Sequence, residues 1–508
     1  MKHRRILSGL AALMLAASLP MSALAREWDI ADGDITIVAD NDGQKVSQGT
    51  ENDISDDNPI IIGNSATNTV SIVAEKDQTA NVTLSGANID GSTKGNAAVS
   101  TTGEGNVSIE LDGDSTLKSG FSHAGLEKNN GGKLTIADED KNGKLTAEGG
   151  KYGAGIGGGD QGAGSGITIT GGEIKATGGQ YGAGIGGGKG AGSDITISGG
   201  EVNATGGTGG AGIGGGYNGN GSDITITDGE VNATGGKYGA GIGGGEYGIG
   251  KDIIITGGEV NATGGRFSAG IGGGSRGTGS DITVSGGEVK ATGGVNGAGI
   301  GGGLQGKGKD ITVSGDAKLK VQGGVESWTG GAGAGIGNGG SKADGNQIPG
   351  AEVEPDSSDL TTGWIEYYAP GADMDKDAPS QTIVGTYIPP QPAREAAAPA
   401  QPTAPLYRVT DGDGKDVSYE TTWRDGVLTV TVEADRAVLT GRLSGIASLQ
   451  AQGIERIVFI TKGATSEFLT ADLLAAAPAT ERYALTHDGE AVTFTAGEAD
   501  VSGILVKA

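Results

Sequence analysis

The sequence predicts an all-β chain: a right-handed parallel β-helix of about 29 residues per coil, rich in glycine and followed by a small α+β domain. Three observations lead there. The phrase GAGIGGG recurs with its isoleucine at Ile156, Ile185, Ile213, Ile242, Ile271 and Ile300, at spacings of 29, 28, 29, 29 and 29, with a looser copy at Ile336. Between copies runs a second phrase, typified by DITISGGEVNATGG from Asp194 to Gly207, whose first isoleucine recurs at Ile167, Ile195, Ile224, Ile253, Ile282 and Ile311. Within each unit, apolar and polar residues alternate, as in Ile195-Thr196-Ile197 and Glu201-Val202-Asn203-Ala204-Thr205, which is the period of a strand and not of a helix.

Each alternating run is short and bounded by Gly-Gly, which permits corners at positive φ. A repeat therefore reads as two short strands plus a flat, Gly-rich third side. The backbone groups of such a coil can pair only with the coils above and below it. One coil alone buries almost nothing, whereas a stack places equivalent residues about 4.8 Å apart and builds interior ladders of Ile, Val and Ala. On the GAGIGGG side, Ala154, Ile156 and their equivalents are expected to fill a narrow interior, with the glycines turning corners and keeping that side thin. The right hand follows from the usual handedness of parallel crossovers.

Composition alone would suggest something else. The chain has 508 residues with 105 Gly, no Cys, five Phe, four Trp and a formal charge of −26, a profile that without periodicity reads as disorder. The absence of Cys excludes disulfides, thiolate chemistry and a lipobox cysteine. Lys2, Arg4 and Arg5, then an apolar run from Ile6 to Leu19 and a small-residue site at Ala23-Leu24-Ala25, read as a secretory signal peptide over 1–25. Localisation is thus expected to be secreted, extracellular or at the cell surface. Removing those three cations takes the charge to −29, which argues against nucleic acid and anionic membranes as partners. No later run is long and apolar enough to span a bilayer. The last residues, Val501 to Ala508, hold no hydrophobic tail or wall-sorting motif, so attachment to a cell wall or surface is expected to be non-covalent.

In chain order, residues 26–150 read as an N-terminal cap and irregular coils, with alternating runs at Asp34–Ile37, Thr69–Ile72, Asn81–Leu84, Asn106–Ile109 and Lys133–Ile136. There, His123-Ala124-Gly125-Leu126 holds the place of GAGI one coil before Ile156. Residues 151–340 are the regular coils. Residues 341–387, with Trp364, Tyr367, Tyr368 and Tyr387, read as a cap for the far end, and 388–405 as a Pro/Ala-rich linker. Residues 406–508 read as the α+β domain, with strands at Gly426–Val432 and Ile457–Ile460 and short helices at Ser444–Gln452 and Thr470–Ala476.

The stretch VTLSGANIDGSTKGNAAVSTTGEGNVSIELDGDSTLKSG from Val82, followed by HAGLE and the GAGIGGG coils, resembles secreted right-handed β-helix proteins of clostridial and gut Firmicutes labelled as carbohydrate-binding domain proteins. The likeness covers roughly residues 28–340. It implies a shape related to pectate lyases and a non-catalytic protein that binds plant polysaccharide with calcium.

Two repeating columns are candidate sites. Glu173, Glu201, Glu230, Glu259 and Glu288 occupy one position of successive coils, and Asp194, Asp223, Asp252, Asp281 and Asp310 another. Like charges about 4.8 Å apart repel by only about 0.9 kcal/mol in water, and calcium, which takes carboxylate and backbone oxygens, would relieve this. The alternative is that the glutamates splay into solvent. The second column is aromatic: Tyr152, Tyr181, Tyr238 and Phe267, interrupted by Gly209 and ended by Asn296. These rings could stack against the sugars of a plant or host glycan, or against each other at about 0.5–1.5 kcal/mol per pair.

Other motifs fail on context. GAGIGG fits a dinucleotide fingerprint but opens a turn, not a helix, and Gly308 stands where a P-loop needs Ser or Thr. Asn203, Asn232 and Asn261 fit glycosylation sequons, yet strand alternation explains them as an outward hydrogen-bonding ladder. Asp411-Gly-Asp413-Gly lacks the closing Glu of a calcium loop and reads as a hairpin turn. Beyond the signal peptide the histidines are His123 and His487, in different domains, which disfavours a Ser-His-Asp site or a His-ligated metal. Arg266 and Arg276 are the arginines of the regular coils, and neither has the setting a lyase base needs. The expectation is a non-enzymatic polysaccharide binder with calcium as the candidate ion. The alternatives are a structural or adhesive surface rod displaying the C-terminal domain and, third, a polysaccharide lyase.

Overall fold

The computed structural model describes residues 25–385 and 407–506, apart from residues 413, 425, 477–481 and 498. The expected signal peptide, save its last residue, and the expected linker at 388–405 lie outside the described residues. The chain forms two compact units: one holding residues 25–356 and 363–383, the other residues 357–362, 384–385 and 407–506.

The first unit is a parallel β-solenoid with the three-sided coil that the alternation predicts. Gly164–Ile169 lies parallel to the next coil with Ile167 opposite Ile195 and Ile169 opposite Ile197. Glu173–Thr177 pairs likewise, Glu173 opposite Glu201 and Ala176 opposite Ala204. Equivalent residues remain in register as far as Ile311 and Lys318. The third side consists of two-residue strands, Ile156–Gly157 through Ile336–Gly337, each pairing with the coils before and after it except Ile336–Gly337, which ends the sheet. The first two sides belong to a 21-stranded sheet and the third to a 13-stranded one. Inside, Ile167, Ile169, Ile174, Ala176, Ala183, Ile185 and their repeats are fully buried.

The corners differ from a plain Gly-Gly break. Gly192–Thr205 and Gly221–Thr234 each run through the corner as one 14-residue strand with a register shift at Ser198. The residue just before the glutamate is the left-handed one, Gly200 at φ 84° and Gly229 at 98°, so the strand bends there and its ladder resumes with Glu201 opposite Glu230. Before that corner, Asp194, Asp223, Asp252, Asp281 and Asp310 all have φ between 50° and 54°. The aspartate column is therefore a column of left-handed bends within the strands, a place Asp tolerates better than bulkier side chains. Most remaining glycines answer to proximity: a Cβ on Gly236 would overlap the carbonyl oxygen of Gly207 in the coil before.

Both ends of the stack are closed by polar groups. At the N-terminal end Ile35–Asp40 pairs parallel with Val70–Ala74 and antiparallel with Gly43–Gln48, which pairs with the exposed, charged strand Glu51–Ser55. Such a strand discourages edge-to-edge addition. At the other end Trp364–Tyr368 adds a last parallel strand beside Lys318–Gln322. On the third side the final N–H groups, those of Gly335 and Ile336, donate to the Glu352 carboxylate at 2.7 and 3.0 Å.

The second unit is α+β. One sheet orders Tyr407–Thr410, Arg436–Arg442, Arg482–Asp488, Ala491–Ala496 and Ala499–Asp500, and the other Glu420–Arg424, Val427–Thr431, Arg456–Ile460 and Thr465–Leu469. The helices are Leu443–Ala451 and Thr470–Ala476. Leu428, Phe459, Phe468, Tyr483 and Phe494 share the core. His487 is buried there, with Nδ1 3.0 Å from Thr461 Oγ1 and Nε2 2.8 Å from Ser466 Oγ.

Two predictions follow from these contacts. Gly236→Ala should destabilise the solenoid by about 3 kcal/mol, while Gln305→Gly, at an exposed residue with φ 62°, should stay within about 1 kcal/mol of the parent in denaturant melts. Burial pushes the His487 imidazole from 6.5 down to about 4. The unfolded ring takes up a proton near 6.5 while the folded ring resists until about 4, so this stability is full above pH 6.5 and is lost as pH falls through that window. Urea melts between about pH 7 and about pH 4 should show up to about 3 kcal/mol of such loss in the parent and a smaller one in His487→Asn.

Candidate functional site

The turn that opens each GAGIGGG segment holds Tyr152, Tyr181, Tyr238 and Phe267. The turn that closes the segment lies beside the opening turn of the coil before: Tyr217 N–H donates to Tyr181 O at 2.7 Å, Glu246 N–H to Gly209 O at 2.8 Å and Ser275 N–H to Tyr238 O at 2.9 Å. Two turns separated in sequence thus form one edge of the solenoid.

Along that edge the rings contact each other. Tyr152 and Tyr181 stack at 5.2 Å and 9° between planes, and Tyr238 and Phe267 at 6.1 Å and 11°. The interruption expected at Gly209 is filled. Tyr217 meets Tyr181 edge-on at 5.3 Å, and a Cβ on Gly209 would lie 2.9 Å from the Tyr217 ring, so this glycine vacates space for it. Tyr247 continues the row at 6.3 Å from Tyr217, and Phe121 precedes Tyr152 at 5.0 Å. Phe121, Tyr217 and Tyr247 were not legible as members of this row, because only the folded turns bring them to it.

Cations decorate the same edge. Lys151 lies 5.3 Å from the Phe121 and Tyr152 ring centres, Lys189 5.8 Å from Tyr152, Lys237 4.9 Å from Tyr238, Arg266 4.8 Å from Phe267 and Arg276 5.8 Å from Tyr247. Each contact is of cation–π type. Among the described residues, none of the five makes an ion pair within 4.0 Å. Phe267 at φ 77° shares its left-handed conformation with Asn296 one coil on, and Tyr247 and Arg276 at 64° share theirs with Asn218 and Gln305, so the winding of the coil imposes this backbone, at a cost of order 1 kcal/mol each.

The glutamate column lies on a different side. Glu173, Glu201, Glu230, Glu259 and Glu288 stand in register, preceded by Lys144 and followed by Lys318. Glu173 pairs with Lys144. Glu201 accepts from Asn203 at 2.9 Å and Glu230 from Asn232 at 3.4 Å. The asparagines form the expected ladder, Asn232 donating to Asn203 at 3.2 Å and Asn261 to Asn232 at 3.1 Å. Among the described residues, the carboxylates that do converge are Glu110, Asp138 and Asp140, with ligand atoms all within 4.8 Å. Burial raises the Glu110 carboxyl above its ordinary range, and the charges of Glu139, Asp138 and Asp140 add to that. These three carboxylates offer, at one point, the oxygen donors that a hard cation takes.

One coil is unlike the rest. Glu127 stands opposite Gly157. Regular coils bond the Ala N–H to a glycine carbonyl, as Ala154 does to Gly158 at 2.9 Å, whereas Ala124 donates to Glu127 Oε2 at 3.0 Å. Glu127 also meets His123 Nδ1 at 2.8 Å and Asn129 Nδ2 at 2.7 Å. Its carboxylate therefore replaces a missing turn bond. Next to it, buried Lys128 donates to Asn130 O at 2.8 Å, and burial lowers its amine to about 8.

Residues 141–160, 167–189, 195–217, 224–246, 253–275 and 282–304 match the family model described as Beta helix repeat. This is a parallel β-helix protein. No curated protein and no solved structure matches the chain. The agreement concerns the repeat and the fold, so the β-helix is identified by how its backbone winds and not by what it binds. No helix among the described residues is long and apolar enough to cross a membrane.

Proposed function

We propose that this β-helix protein is an exported, non-catalytic binder of extended polysaccharide, and that it binds along the aromatic edge. The observation that carries the reading is five cations collected on one row of rings in a chain of formal charge −26. The rings stack mainly on one another, which leaves edges, hydroxyls and cations as the groups offered outward. Such a surface favours acidic sugars over neutral ones. Calcium enters the reading through Glu110, Asp138 and Asp140, where a divalent ion would offset the mutual repulsion of the carboxylates.

The protein should be retained on immobilised polygalacturonate and pass through a neutral β-glucan. Raising ionic strength from about 0.1 M to about 1 M, which shortens the screening length from about 10 Å to about 3 Å, should weaken retention roughly tenfold or more. Lys151→Glu with Arg266→Glu should abolish it. Running the same columns with a chelator tests the calcium component separately. Failure to bind any glycan in either condition removes the reading.

The two-unit organisation favours a second reading, a surface rod that displays the C-terminal unit. It predicts that charge reversal on the edge leaves adhesion to cells or wall material unchanged. A lyase would release unsaturated, ultraviolet-absorbing product from polygalacturonate, and none is expected.

A further inference from the structure

The spacing from Ile300 to Ile336 is 36 residues, where the regular coils from Ile156 to Ile300 have 28 or 29, and the extra residues lie at the end of the aromatic edge. The edge's register leads into them: Phe267 N–H donates to Val295 O and Asn296 N–H to Val325 O, both at 3.0 Å. Three residues further on is Trp328, 74 % exposed. The other tryptophans are buried (Trp28) or half-buried (Trp364 and Trp423).

Trp328 is held out by a built support. Ser327 N–H donates to Gly330 O at 2.9 Å and Gly330 N–H to Ser327 O at 3.0 Å, closing a tight turn with Trp328 and Thr329 at its tip. Below it Asn296, fully buried and at φ 64°, donates to Gly330 O and Gly331 O at 2.7 Å each. The Asn296 side-chain oxygen accepts from Ser327 Oγ at 2.6 Å and from Thr329 Oγ1 at 2.9 Å. Gln347 Nε2 and Lys342 Nζ donate to the carbonyls of Ser327 and Trp328 at 2.7 and 3.1 Å. Asn296, which ends the aromatic column in the sequence, is the anchor of this turn.

Leaving an indole exposed forgoes a large hydrophobic gain, and a network this complete does so in a fixed position. The rings of the edge have faces engaged by neighbours or by cations. Among the described residues Trp328 has no aromatic or cation–π partner, so its face is open. We infer that Trp328 is the terminal subsite of the polysaccharide-binding edge, stacking on the C–H face of one pyranose ring while the cations upstream hold the acidic groups of the same chain. The inference rests on the function proposed above and adds a place and a sugar-ring contact to it.

The test uses the full chain with polygalacturonate as probe. Trp328→Ala should weaken binding about tenfold and Trp328→Phe by much less, since a flat ring remains. Polygalacturonate should change the parent's tryptophan emission, and Trp328→Phe should remove that change. If Trp328→Ala binds as the parent does while Lys151→Glu with Arg266→Glu does not, the inference fails and the binding function stands. If the emission changes on concentrating the protein alone, with a rise in sedimenting mass, the turn contacts a second copy and the inference is overturned. If the parent binds no polysaccharide, both fall together.

Discussion

Every coil of this solenoid must hydrogen-bond to the one before it and the one after it through backbone that lies almost in contact. Ile156 N–H reaches Gly184 O, Ile185 N–H reaches Gly212 O and Ile213 N–H reaches Gly241 O, each at 3.0 Å. On the third side this approach leaves no room for a Cβ at Gly186 or Gly214. Glycine is frequent there because carbonyl oxygens of the adjacent coil occupy the volume a side chain would need. With two sides committed to pairing and one to bare backbone, large side chains are left to the corners and turns. The aromatic and cationic residues collect at such a place, and several accept a left-handed backbone there.

The same stacking multiplies every charge, and the molecule handles its repeating charges differently on different sides. Glutamates are spread along a strand, flanked in register by Lys144 and Lys318 and interleaved with a ladder of asparagine amides. Aspartates sit where the strands bend, so their conformational tolerance matters as much as their charge. On the aromatic edge the cations lie over rings with no carboxylate at ion-pair distance among the described residues, although Glu246 is near enough to Arg276 and Lys237 to feel their charge, so an anion from outside would meet these cations without displacing a close ion pair. A strongly acidic protein with one such edge can discriminate between ligands by position even though its overall field repels them.

Where the repeat ends or falters, carboxylates and amides supply the missing backbone partners. Glu127 replaces a glycine carbonyl in the coil of His123, Glu352 receives the last two N–H groups of the third side, and Asn296 ties the long final coil together. A stack of identical units has no internal reason to stop, so its boundaries require residues unlike the repeat. Those residues are the ones a periodic reading passes over.

The three-sided coil, the interior ladders of Ile156, Ile167 and Ala176, the asparagine ladder and the α+β character of the last hundred residues were legible in the sequence. Period and alternation act through nearest neighbours, and a stack repeats nearest neighbours. Half of the candidate edge was legible too, as Tyr152, Tyr181, Tyr238 and Phe267. What only the tertiary structure decided is which turns share an edge: that Tyr217 fills the place left by Gly209, that Lys189 and Arg276 join the row, and that Trp328 stands at its end. Those relations cross from the closing turn of one coil to the opening turn of another, and their distance in the chain says nothing of their distance in space. Convergence of Glu110, Asp138 and Asp140 was hidden for the same reason, since only side chains placed by three-dimensional packing can bring such carboxylates to one point.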